Sequence, residues 1–128
     1  MLFNFSKPVT NVSVTIDPYG VWGRDVSYWV GYSESPLNLT AKTYANLSGL
    51  GFSSQVNNLS TPSDAPRTVT ISSATPFNQL LFGGLMGETN PGDYFKISCI
   101  SGTAVPEPAS LALLGLGVAA LGFRRSRR

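Results

Sequence analysis

The chain has 128 residues, 42% of them hydrophobic and only 12% charged, with a formal net charge of +2. That length suits one domain rather than two, and the charge content is well below the roughly 25% of a typical soluble domain. Histidine is absent and Cys99 is the single cysteine, which excludes an intrachain disulfide, the Cys/His zinc spacings and any Ser-His or Cys-His nucleophile pair.

The charge is unevenly placed. Up to Ala104, the bases Lys7, Arg24, Lys42, Arg67 and Lys96 are outweighed by Asp17, Asp25, Glu34, Asp64, Glu88 and Asp93; from Val105 onward, Arg124, Arg125, Arg127 and Arg128 oppose Glu107 alone. The basic surplus belongs to the tail. The body has no basic face of the kind a nucleic-acid partner needs, and no cofactor motif stands out.

In chain order, Met1 to Pro8 lacks the basic start and the apolar run of about 7–15 residues that mark a signal peptide. Phe3 and Phe5 look like the remnant of a strand. Val12, Val14 and Ile16 alternate with Ser13 and Thr15, and Val26, Tyr28, Val30 and Tyr32 alternate with Ser27, Trp29 and Gly31. Val69 and Ile71 are flanked by threonines and a serine, Phe77 to Phe82 is a more continuous apolar run suited to a central strand, and Phe95, Ile97 and Cys99 alternate with Lys96 and Ser98. Period-two runs rich in β-branched and aromatic residues are the mark of half-buried strands. Turn signals separate them at Asp17-Pro18-Tyr19-Gly20, Ser35-Pro36, Asn57-Asn58, Thr61 to Pro66 and Asn90-Pro91-Gly92-Asp93. The expectation is a mostly β protein: an antiparallel β-sandwich or jelly-roll-like domain over 1–101, then a linker over 102–108.

The tail reads differently. Val105-Pro106-Glu107-Pro108 leads into Ala109 to Phe123, which carries no charge and a single polar residue, Ser110; the arginine cluster follows. A helix over 109–123 would be roughly 22 Å long, against a hydrocarbon core of about 30 Å. It lacks the polar face of a core helix. Ala109, Leu111, Leu114, Leu116, Val118, Leu121 and Phe123 are therefore expected in a single transmembrane helix. Arg124, Arg125, Arg127 and Arg128 can reach the headgroups and hold the C-terminus in the cytoplasm.

The order Pro-Glu-Pro, short apolar helix, terminal arginines resembles the PEP-CTERM sorting signal of Gram-negative bacteria, over 105–128. The resemblance implies export, transient anchoring in the inner membrane and processing by an exosortase, a membrane-embedded transpeptidase-like cysteine enzyme, with the cell surface or exterior as destination. It assigns recognition to Pro106, Glu107 and Pro108, anchoring to 109–123 and stop-transfer to the arginines. Two prolines keep the motif extended and free of helix, the form a protease-like groove accepts. The alternatives are a plain C-terminal anchor and a GPI signal, the latter opposed by the arginines. Such proteins occur in species that make exopolysaccharide, which makes that polymer a candidate partner. They also begin with a signal peptide and further strands, so the resemblance implies a truncated N-terminus and a first strand short of neighbours.

Within the body, Cys99 shares a face with Phe95 and Ile97 and reads as a small core residue. Asp17 with Asp25, and Glu88 with Asp93, flank loops where Ca²⁺ could sit, but no D-x-D-x-D run exists, and they read as solvated loop acids. Tyr19, Trp22 and Trp29 could form an aromatic platform for sugars; the plainer reading puts Trp29 in a second layer or under a loop. The N-x-S/T triplets at Asn4, Asn11, Asn38, Asn46 and Asn58 carry little weight in a chain so rich in Asn, Ser and Thr. The functional expectation is a non-enzymatic surface or matrix protein, with an exopolysaccharide-binding module as the alternative.

Overall fold

The computed structural model describes residues 1–20, 24–86 and 94–105. Five strands form in them: β1 (Leu2–Pro18), β2 (Val26–Gly31), β3 (Val56–Asn58), β4 (Arg67–Gly84) and β5 (Phe95–Ala104). All pair antiparallel in one sheet of order β3-β2-β4-β1-β5. The expected β class is what forms, as one open sheet rather than the two sheets of a sandwich.

The reason lies in β1 and β4. Phe3 and Phe5 do not belong to a separate strand, and neither does the Val69–Ile71 run; each joins its neighbour into one long strand. A straight strand of β4's length would span about 60 Å. Yet the Phe82 ring, near its end, lies 5.9 Å from that of Phe95, and Phe95 pairs with Pro18 beside the beginning of β4. The Arg67 guanidinium, at the first residue of β4, donates to the Arg24 carbonyl at 2.7 Å, next to β2, whose Val26 pairs with Gly84. The sheet therefore folds over on itself.

The fold line is marked by irregular pairing. Between Asn4 and Asn11 the β1–β4 register shifts on either side of Val9↔Phe77. Pro8 and Pro76 both fall in this stretch, where the missing N–H of proline breaks no ladder bond. Bulges bend strands and let them turn a corner. They also reverse which side chains face inward: Phe3, Phe5 and Val9 point to the core before the bend, and Val12, Val14 and Ile16 after it.

The main core lies inside the fold: Val9, Val12, Val14 and Ile16 from β1, Val26 from β2, and Val69, Ile71, Phe77, Leu80 and Phe82 from β4. β4 is the central strand, as the Phe77 to Phe82 run suggests. A second cluster, Trp29, Leu47 and Phe52 with Leu2, Leu37, Leu39, Leu50, Leu81 and Met86, lies on the outer face of the β2 half. The 32–55 segment, with 3₁₀ turns at Tyr44–Asn46 and Ser48–Leu50, covers it, so β2 is buried on both sides.

Two further expectations are corrected, and a third, that the first strand is short of neighbours, holds for part of its length. Asn57-Asn58 lies in β3, not in a turn, because Ser27 Oγ donates to Asn57 Oδ1 at 2.8 Å and the Val26–Tyr28 edge of β2 takes the segment as a partner. β5 runs through Ala104, so Gly102–Ala104 belongs to the sheet and not to a linker. The first strand has β4 and β5 on its two sides over Val9–Pro18, and only β4 over Leu2–Asn4.

Candidate functional site: the base of the sorting tail

The tail leaves the body at the end of β5. Ala104 pairs with Val9, a residue of the main core, and the Val105 N–H donates to the Pro8 carbonyl at 2.8 Å. Pro8 is well suited to this place. It offers a carbonyl but no donor, and it sits at the bend, where its carbonyl oxygen takes the Val105 N–H. Pro106 follows Val105 directly, so Pro-Glu-Pro comes immediately after the last described residue in sequence. The stretches 6–11, 72–75 and 103–105 around this corner contain one charged residue, Lys7, and are otherwise Ser, Thr, Asn, Ala, Val and Pro.

The residues 104–128 match the family model of the PEP-CTERM protein-sorting motif. The chain carries a PEP-CTERM sorting motif. Its presence implies processing by exosortase as a substrate and export to the cell envelope or surface. No curated protein matches the chain, and no solved structure does. Pro106, Glu107, Pro108, the proposed span over 109–123 and the four arginines lie outside the described residues. Among the described residues, no helix is long and apolar enough to cross a membrane.

The other candidates fare unevenly. Trp29 is 5% exposed; its indole stacks on the Tyr44 ring at 5.3 Å and 18°, under the 32–55 cover. It is no sugar platform. Trp22 lies outside the described residues. Tyr19 is 84% exposed and Tyr94 62%, and they meet at the far end of the β1–β5 pair, where the Tyr19 N–H donates to the Tyr94 carbonyl at 2.8 Å. Sequence reading missed Tyr94, which falls outside the period-two run; only its proximity to Tyr19 in the fold marks it.

Cys99 is exposed, contrary to its expected core position. The β1–β5 register shifts between Thr15 and Ile16, opposite Cys99 and Ile97. This irregularity turns Ile100 inward and Cys99 out.

Asp25 is occupied within the fold: its Oδ1 accepts from the Ser60 N–H at 2.6 Å and from Ser60 Oγ at 3.2 Å. Among the described residues no three His, Cys, Asp or Glu side chains come together as a metal site. Glu88 and Asp93 lie outside them. Nearby, burial and the Arg24 charge lower the pKa of the Arg67 guanidinium and Asp25 raises it; with its donors on the Arg24 and Asn58 carbonyls, Arg67 serves as a clasp between the two halves of the sheet.

Clefts among the described residues include two. One, of about 330 Å³, is lined by Val30, Gly31, Tyr32, Gly51, Phe52, Ser53, Ser73, Thr75, Pro76 and Phe77. The other, of about 220 Å³, is lined by Leu39, Lys42, Thr43, Tyr44, Leu47 and Leu81. Neither holds an acid, so neither supplies the facing carboxylates of glycoside hydrolysis.

Proposed function

We propose that this chain is a non-enzymatic structural or interaction protein of the Gram-negative cell surface, held in the inner membrane by residues 109–123 until exosortase acts on Pro106-Glu107-Pro108. The observation that carries the reading is the three-part motif at 104–128, set directly against the last strand of a folded body. The apolar run inserts, the arginines stop it, and the extended Pro-Glu-Pro stretch presents backbone to the enzyme at the membrane surface. A chain without histidine lacks the commonest general base, which supports a role outside catalysis.

The test is fractionation and chain size in a host with exosortase. Replacing Pro106, Glu107 and Pro108 together by Ala leaves the apolar run intact, so insertion persists while processing and surface delivery stop. Processing of that variant at the wild-type rate would reduce the tail to a plain anchor.

A second reading, binding of exopolysaccharide, draws on the exposed Tyr19 and Tyr94 rings. They lie at the end of β1 and β5 opposite the tail, about 30 Å away along a ten-residue strand, and so point away from the membrane while the anchor is in place. Aromatic faces exposed in this way suit sugar stacking. Replacing both by Ala abolishes retention on the host's polysaccharide under this reading and leaves it unchanged if the body is purely structural.

A further inference from the structure

The motif has no spacer. In an extended chain each residue advances the backbone by about 3.3–3.6 Å, so the whole of Pro106 to Pro108 can lie no more than roughly 14 Å from the last sheet hydrogen bond, Val105 N–H to Pro8 C=O. That hydrogen bond cannot slide, because Ala104 is registered on Val9 and Val9 is fixed in the core. An enzyme that grips the motif thus meets the folded body at once.

We propose that the corner of the sheet around Val9 and Ala104 is a docking face for exosortase, so that the enzyme processes the motif with the body seated against its periplasmic rim. The proposal rests on the sorting reading above and adds the surface through which the body takes part. The corner is suited to close approach: across 6–11, 72–75 and 103–105 Lys7 is the only charge, and hydroxyl side chains can trade water for polar groups of a partner without stranding an ion. Thr75 and Thr103 are exposed. Thr103 pairs with Asn11 of β1 from the β5 side, and Thr75 lies on the β4 side within the irregular stretch between Ser72, which pairs with Asn11, and Phe77, which pairs with Val9. A carboxylate at either position would be desolvated on docking.

The experiment compares four full-length chains in a host with exosortase, reading the rate of conversion to the processed form. They are the wild type, the pair Thr75→Glu with Thr103→Glu, that pair with a Gly-Ser spacer of about eight residues after Val105, and the Pro106/Glu107/Pro108 triple-Ala control. Such a spacer adds roughly 15 Å of flexible reach and lifts the body off the enzyme. The Glu pair is expected to convert about tenfold more slowly, because each docking event buries two charges. The spacer should return it to within about twofold of wild type, which a misfolded body would not allow. Conversion of the Glu pair at the wild-type rate, or a loss that the spacer leaves in place, overturns the docking face. The sorting reading fails separately, and only if the triple-Ala chain is processed.

Discussion

The Phe82 ring meets the Phe95 ring edge-on, with centroids 5.9 Å apart and planes at 76°, although Phe82 lies near the end of β4 and Phe95, in β5, pairs with Pro18 near the level of the beginning of β4. The contact joins the two halves of the folded sheet. Phe82 is 1% exposed, and its loss would empty the space between the halves. Phe82→Ala is expected to cost about 3–5 kcal/mol, read from urea unfolding of the body. A double-mutant cycle with Phe95→Leu should give a coupling of about 0.5–1.5 kcal/mol. Zero coupling would mean that the halves do not meet through these rings.

Gly31 closes the outer face of β2. A Cβ there would lie 2.8 Å from Phe52 Cδ1 and 3.2 Å from the Gly51 carbonyl oxygen. Phe52 is itself buried, so its ring has little room to retreat. Gly31→Ala should destabilise by about 1–3 kcal/mol through overpacking, and Phe52→Leu in the same chain should recover part of that loss. Thermal unfolding of the single and double variants checks the order.

Trp29 holds the 32–55 cover down through its stack on Tyr44 and its packing with Leu47 and Phe52. Trp29→Ala should release this cover before the main core fails, because the second cluster is separate from the first. Limited proteolysis would then cut within 37–50 at protease levels that leave wild type intact. A cut pattern unchanged from wild type would show that the cover does not depend on the indole.

Cys99 lies exposed on an edge strand. A thiol reagent should label it fully in the native protein, as fast as in the urea-unfolded chain within a factor of a few. Labelling that waits for unfolding would return Cys99 to the core and remove the β1–β5 register shift. Cys99→Ser should leave stability within about 0.5 kcal/mol of wild type, as for other surface positions.

The β class, the strand-forming runs within β1, β2, β4 and β5, the breaks near Tyr19-Gly20, Ser35-Pro36 and Thr61 to Pro66, and the sorting motif were legible because each is a local property. Alternation such as Val12-Ser13-Val14-Thr15-Ile16 specifies a half-buried strand wherever it lies. The sorting motif over 104–128 is likewise a pattern along the chain. β3 escaped notice because Val56-Asn57-Asn58 is too short and polar to show a period; the β2 edge recruits it.

What tertiary structure alone decided is the bend and its consequences. Period two gives the relative facing of neighbours, not which face is inside, and a register shift reverses it. Thus Cys99 turned outward while Ile100 turned in, and β1 and β4 passed through Pro8 and Pro76 as continuous strands instead of ending there. The fold-over itself comes from contacts far apart in sequence, Phe82 with Phe95 and Arg67 with Arg24. The same long-range pairing, Ala104 on Val9 and Val105 on Pro8, carried β5 through Gly102–Ala104, because backbone hydrogen bonds to a strand about 95 residues earlier hold that stretch in the sheet.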